Sequence, residues 1–259
     1  MDKTFIINTH SHVNMLKNTN IDDAISAAQN ENIVTIVPSS TADDIFEVSG
    51  FINKYDDVYG YVGVFPEEAK TFTDKTLLDM ENLIRSNKKI IGIGEIGLDY
   101  YWDKSFKELQ KEVFIKQIEF ANQINMPLNI HCRDAYLDTL EILKKYNKNS
   151  TAILHCFSGS LEFAMECIKE GIFIALGGVV TFKNALKAKE VAANIPLEYL
   201  LLETDDPYLA PVPFRGKENQ PVYVKYVAEE IASLRGCSVE EIANATTQNA
   251  ERIFNFNAE

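Results

Sequence analysis

Eight short runs of apolar and β-branched residues punctuate this chain: Phe5–Thr9, Ile33–Pro38, Val58–Val64, Ile90–Glu95, Pro127–His131, Ala152–His155, Ile172–Leu176 and Tyr199–Glu203. Longer stretches with helical periodicity lie between them, so the pattern reads strand, helix, strand, helix throughout. Strands buried on both faces give near-continuous apolar runs, which predicts a parallel sheet. Eight repeats of the unit favour an α/β fold closed into a TIM (β/α)8 barrel, with an open doubly wound sheet as the structural alternative. The 259 residues are close to the typical size of such a barrel. No Gly/Ser-rich linker or low-complexity tract divides them, so one domain over 1–259 is expected. A helix is predicted over Phe106–Asn125, and Ser238 followed three residues later by Glu241 reads as a capping box opening the last helix.

Composition narrows the function classes. With 46% hydrophobic and 24% charged residues the chain can bury a sizeable core. A formal net charge of −13 and a pI of about 4.8 exclude the broad basic face with which many proteins grip nucleic acid. A polyanionic substrate would need local help from cations or a few arginines. No apolar run approaches the ~20 residues that span a bilayer, and the N-terminus enters a strand-like segment without a basic-then-apolar leader, so a cytoplasmic protein with no membrane contact is expected. Cys132, Cys156, Cys167 and Cys237 are scattered without a CxxC pair and read as free thiols.

The chemistry is concentrated in few residues. All four histidines, His10, His12, His131 and His155, fall at or just beyond the C-terminal end of a predicted strand. In a barrel those ends form the face on which active sites are built. His10 and His12 are two apart, so on an extended strand end they point the same way and can grip one cation. A single histidine there is most simply a satisfied polar group, but four together point to metal. Glu95 and Asp205 also end apolar strands, where a carboxylate is costly unless it binds metal or is well paired. A salt bridge is the plainer alternative for either. Gly92, Gly94 and Gly97 mimic a dinucleotide fingerprint but lack its βαβ setting, and tight backbone packing around Glu95 is the better reading.

Six motifs occur in order across nearly the whole chain. They are Thr-His-Ser-His at 9–12, Gly-Glu-Ile-Gly-Leu-Asp-Tyr-Tyr at 94–101, Ile-His-Cys-Arg-Asp-Ala at 130–135, His-Cys-Phe-Ser-Gly at 155–159, Glu-Thr-Asp-Asp-Pro-Tyr-Leu at 203–209 and Arg-Gly-Lys-Glu-Asn at 215–219. In these the sequence resembles the TatD family of metal-dependent deoxyribonucleases. The resemblance implies a TIM barrel with two divalent cations (Mg, Mn or Zn): His10, His12 and Asp205 holding one, His131 and His155 the other, and Glu95 bridging. It implies hydrolysis of DNA phosphodiesters, often from a 3′ end. Single-stranded or frayed DNA is the expected substrate, with Asp205, placed to take a proton from water, and Glu95 as the expected catalytic carboxylates. Some relatives are reported to deacylate mischarged tRNA.

The sequence also departs from the family. Asn8 stands where many members have aspartate, Gly63-Val-Phe-Pro-Glu67 replaces Gly-x-His-Pro-His, and Phe214 takes a place where histidine is common. The metal ligands are untouched, while Phe65, Glu67 and Phe214 bear on the substrate, and Glu67 facing the site would repel a phosphate. Arg133 and Arg215, with Lys217, are candidate phosphate contacts, and surface salt bridges are their plainer reading. Tyr100, Tyr101, Trp102 and Phe157 are candidates for stacking on bases, or for packing. Two rival readings are an amide or ester hydrolase acting on a small molecule or aminoacyl-tRNA, and a metal-binding barrel without catalysis.

Overall fold

The computed structural model describes residues 5–254 and 256. In chain order its elements are β1 (Ile6–Asn8), α1 (Ile21–Gln29), β2 (Ile33–Pro38), α2 (Asp44–Ile52), β3 (Val58–Val62), α3 (Asp74–Ser86), β4 (Ile90–Asp99), α4 (Lys107–Ile124) and β5 (Leu128–Arg133). There follow α5 (Tyr136–Tyr146), β6 (Ala152–Leu154), α6 (Leu161–Lys169), β7 (Phe173–Leu176), α7 (Leu186–Asn194), β8 (Leu200–Leu202), α8 (Val224–Arg235) and α9 (Val239–Ile253). The strands follow one another in a closed barrel, β1 to β8, which is the (β/α)8 architecture expected from the alternation and not the open sheet.

Contacts divide the chain into two compact units. The first joins the chain up to Val37 with Cys156–Ile253, the second is Pro38–His155 with Phe254 and Phe256. In the first, β1 pairs in parallel with β2 (Ile6 opposite Ile33) and with β8 (Asn8 opposite Leu202), and β7 pairs with β8. In the second, β3, β4, β5 and β6 run parallel in sequence order. The apolar runs are strands because both faces are covered: Ile36, Ile93, Ile96, Ile130, Ile174 and Leu201 are fully buried.

Strand ends differ from the sequence expectation for local reasons. Pro127 has no N–H to give a ladder, so β5 starts at Leu128, while the Pro127 carbonyl accepts from Ile93 N–H at 2.8 Å. β4 does not stop at Glu95; it continues to Asp99 because Ile96 to Asp99 pair with Ile130 to Arg133 beyond a register shift. Glycine makes that possible. A Cβ on Gly97, at φ +139°, would lie 2.0 Å from the His131 carbonyl oxygen, and one on Gly94 would lie 2.7 Å from the Asn129 Cβ. The tight packing expected around Glu95 is therefore the backbone of β4 lying directly on β5. Helix α4 occupies the expected stretch, with Asn125 in the left-handed conformation that asparagine tolerates closing it at φ +54°. At the head of α9, the Glu241 N–H donates to Ser238 Oγ at 3.1 Å, one half of the expected capping box.

Candidate metal centre

In the first unit, the chain leaving β1 keeps pairing on alternate sides. Thr9 N–H donates to the Leu202 carbonyl at 2.9 Å and Ser11 N–H to the Ile36 carbonyl at 3.0 Å. This leaves His10 and His12 on one side, as their spacing predicts, although the regular strand has already ended at Asn8. His12 N–H then donates to the Asp206 carbonyl and Asp205 N–H to the His10 carbonyl, at 2.9 and 3.1 Å, which brings the segment after β8 against the histidines. Asp205 sits at φ +53°, a backbone state that aspartate tolerates better than most side chains.

The result is a three-atom cluster. His10 Nε2 and His12 Nε2 lie 3.1 Å apart, and Asp205 Oδ1 lies 3.8 and 3.9 Å from them. A point equidistant from all three atoms is ~2.1 Å from each, the length of a zinc–nitrogen or zinc–oxygen bond. His10 is fully buried, whereas Asp205 keeps 16% of its side chain exposed and so is reachable by water. Asn8 holds this frame from behind: its Nδ2 donates to Thr204 Oγ1 at 2.8 Å and its Oδ1 accepts from Thr204 N–H at 2.9 Å. Asparagine can do both, where aspartate could only accept. The Thr204 hydroxyl in turn donates to Asp206, whose buried carboxyl burial pushes up to about 6.

The second unit gathers Glu95, His131 and His155. Glu95 Oε1 is 2.8 Å from His155 Nε2 and 3.0 Å from His131 Nδ1, and the two nitrogens are 3.3 Å apart. Donors at ~2.1 Å from one ion lie ~3.0 Å apart in an octahedron and ~3.4 Å in a tetrahedron, so these separations suit a cation placed just off their plane. Counting protons supports the same reading. His131 Nε2 is 2.9 Å from Asp99 Oδ2, a carboxylate that calls for an N–H there. In neutral imidazole that leaves a lone pair on Nδ1 facing the lone pairs of Glu95 Oε1, which only a proton or a cation between them relieves. Burial opposes protonation of His131, but its bonds to Asp99 and Glu95 prevail and hold its pKa above the ordinary value. Both sets of donors therefore fit a divalent cation of the imidazole- and carboxylate-binding kind.

Asp99 went unassigned in the sequence, although it lies within the Gly-Glu-Ile-Gly-Leu-Asp motif. It is buried; Oδ2 meets His131, while Oδ1 accepts the N–H groups of Tyr101 and Trp102 at 2.8 and 3.4 Å. Gln110 on α4 clasps its backbone, Oε1 accepting Asp99 N–H and Nε2 donating to the Asp99 carbonyl, both at 3.0 Å. Gln117, seven residues and two helical turns on, clasps Val64 in the same reciprocal way at 2.8 and 3.1 Å. The only hint in the sequence was a pair of amides at helical spacing on a face that is otherwise apolar.

Two of the departures from the family pattern, Phe65 and Glu67, lie close to His131. Phe65 sets its ring edge-on to His131, with centroids 4.7 Å apart. Glu67, in the 3₁₀ turn that follows, is held above the usual carboxylate range by burial and by the charge of Asp99, partly offset by His131 and Arg133. Phe214 stacks on Tyr223 at 4.2 Å. The Arg133 guanidinium lies 3.8 Å over the Tyr101 ring, and that of Arg215 4.3 Å over Phe182. Tyr100 donates to Asp138 at 2.7 Å and Phe157 is buried against Phe163, so both are structural. None of the four cysteines forms a disulfide, and burial pushes the Cys132 thiol up to about 12, so it offers no thiolate beside His131. In the last motif, Glu218 accepts the N–H groups of Lys17, Asn18 and Thr19, and Asn219 Nδ2 donates to the carbonyls of Thr204 and Tyr208 at 2.8 and 2.7 Å.

Comparison with known proteins agrees with this geometry. Residues 7–255 match the family model described as TatD related DNase. The chain is 45% identical over 255 residues to the uncharacterised metal-dependent hydrolase YabD of Bacillus subtilis, covering 97% of this chain and 100% of that protein. It is 36% identical over 262 residues to YcfH of Escherichia coli K12, also an uncharacterised metal-dependent hydrolase, covering 98% and 97%. The crystal structure of YjjV, a TatD homologue from Escherichia coli K12, superposes with a TM-score of 0.89 at 30% identity over 98% of this chain and 99% of that one. Ligand geometry, family model and relatives converge: the chain belongs to the TatD family of metal-dependent hydrolases.

Proposed function

We propose that this hydrolase cleaves phosphodiester bonds of DNA, as a 3′ to 5′ exonuclease on single-stranded or frayed ends. One divalent cation is held by His10, His12 and Asp205 and another by His131, His155 and Glu95. The observation that carries this reading is the pair of donor sets, each spaced for a divalent cation, in a chain matching TatD related DNases over 7–255. Cations bound there supply an acidified water and positive charge for the oxygens that gain charge as the bond breaks. The chain supplies the rest. Asp205, part-exposed, takes the proton of the attacking water at its carboxylate. Asp99 fixes the tautomer of His131, and Arg133 and Arg215 bind phosphate through guanidiniums already oriented by Tyr101 and Phe182.

Digestion of end-labelled oligonucleotides, blocked at either the 3′ or the 5′ end, tests the proposal. The expected result is nucleotide release from an open 3′ end that stops with chelator and returns with Mg²⁺ or Mn²⁺. Undiminished cleavage in excess chelator contradicts it. One observation favours a second reading, hydrolysis of an ester or amide in a substrate without a phosphate: Glu67 brings negative charge to the neighbourhood of Asp99 and His131. Glu67→His therefore separates the readings. If DNA is the substrate, the variant cleaves it faster than the wild type. A gain confined to acyl esters supports the second reading.

A further inference from the structure

The ends of β4 and β5 carry more than the metal ligands. Asp99 and Arg133 are register partners, and Tyr100 N–H donates to the Arg133 carbonyl at 2.9 Å, so the segment after β4 lies against Arg133. There Tyr101 and Trp102 are 51% and 63% exposed, with ring centroids 4.8 Å apart at 86°. The Arg133 guanidinium is 3.8 Å over the Tyr101 ring and 5.5 Å from that of Trp102. Asp99 ties this surface to the metal group: one of its oxygens accepts from His131, the other from the backbone of Tyr101 and Trp102.

The geometry points to Tyr101, Trp102 and Arg133 as a subsite for one nucleotide of the substrate, the base stacking on Trp102 and its phosphate accepting from Arg133. The assignment rests on the nuclease reading and deepens it. Stacked on Tyr101, the guanidinium is pre-oriented, and a guanidinium so held can fork onto a phosphate oxygen pair. With 63% of Trp102 exposed, the part of the indole that Arg133 does not cover is open to a base, which stacks without regard to its identity. His131 and Arg133 are two apart on β5 and leave it on the same side, so a phosphate at Arg133 stands beside the cation group. An apolar protein partner fits less well, because covering this patch would bury the Arg133 charge without an anion. A nucleotide brings ring and anion together.

Trp102 is the only tryptophan of the chain, so its fluorescence reads the subsite without a label. The full-length protein with Mg²⁺ is titrated with a phosphorothioate oligothymidylate, which resists hydrolysis, and with an abasic strand of the same length. Saturable quenching by the first, with at least ten-fold weaker binding of the second, is expected. Arg133→Ala should weaken the quenching titration roughly ten-fold at low salt. On cleavable DNA, Trp102→Ala should raise KM roughly ten-fold with little change in kcat, and change nothing on a strand whose terminal base is missing. Wild-type cleavage of DNA with no quenching, or an unchanged KM in Trp102→Ala, overturns the subsite and leaves the nuclease reading standing. Quenching without cleavage keeps the subsite and removes the nuclease reading. Absence of both removes both. Fluorescence that follows protein concentration and ignores nucleotide assigns the patch to self-association and overturns the proposal.

Discussion

His131 carries two nitrogens, each facing a carboxylate, and that one residue shows how finely the site is set. Asp99 Oδ1 is engaged by two backbone N–H groups, so in Asp99→Asn the amide oxygen stays there and the amide nitrogen turns to His131. The imidazole must then carry its proton on Nδ1, where a cation would bind. Metal affinity of the Glu95, His131 and His155 group should fall by ~10–100-fold, the usual effect of losing the partner that orients a ligand. Calorimetric titration of the metal-free variant measures it, and unchanged affinity contradicts the assignment. Asp205→Asn tests another role, since asparagine keeps an oxygen for coordination but accepts no proton. Single-turnover cleavage should drop ~10²–10⁴-fold while the second group keeps its cation. Near-normal turnover with full metal content would remove Asp205 as the base. All six candidate donors were legible in the sequence, because four histidines and two acids at the ends of apolar strands are together more than isolated polar groups would explain. Asp99 was not, because its task depends on which atom of His131 it meets.

The same limit applies to whole elements. The number and order of strands could be read from apolar periodicity, whereas the length of β4 could not, because it depends on Gly97 lying against the His131 carbonyl. Gly97→Ala therefore clashes with backbone, not with a flexible side chain, at a positive φ that alanine disfavours. We expect a loss of ~2 kcal/mol or more, or a midpoint lowered by ~4 °C or more in thermal unfolding of a chain this long. An unchanged midpoint would mean that β4 relaxes freely. On α4, Gln110 and Gln117 do for two strand ends what a cap does for a helix. Gln110→Leu leaves the N–H and the carbonyl of Asp99 without their partner, at ~1–3 kcal/mol for each buried group. Lower metal affinity should accompany that loss, since Asp99 orients His131. Sequence periodicity placed both glutamines on a helix but could not say which backbone they clasp.

At the scale of the molecule, each compact unit supplies one complete set of donors, and the family match runs through both. The net charge of −13 disfavours a polyanionic substrate overall, so binding one would depend on cations and a few basic side chains. Cleavage should thus weaken with salt less steeply than for a protein that neutralises 6–10 phosphates with lysine and arginine, whose affinity falls roughly 10³–10⁵-fold between 50 and 200 mM. Among the described residues no helix is long and apolar enough to cross a membrane. The motifs made the family legible from the sequence; the substrate was less so, because Phe65, Glu67 and Phe214 depart from the family pattern where the six candidate donors do not. The proposal turns on two divalent cations held by these six donors, and metal content per chain tests it most directly. Purified wild-type protein should contain two equivalents, and His12→Ala and His131→Ala one each, with the remaining ion in the untouched set. Two equivalents in both variants, or none in the wild type after dialysis against Zn²⁺ or Mn²⁺, would contradict the account.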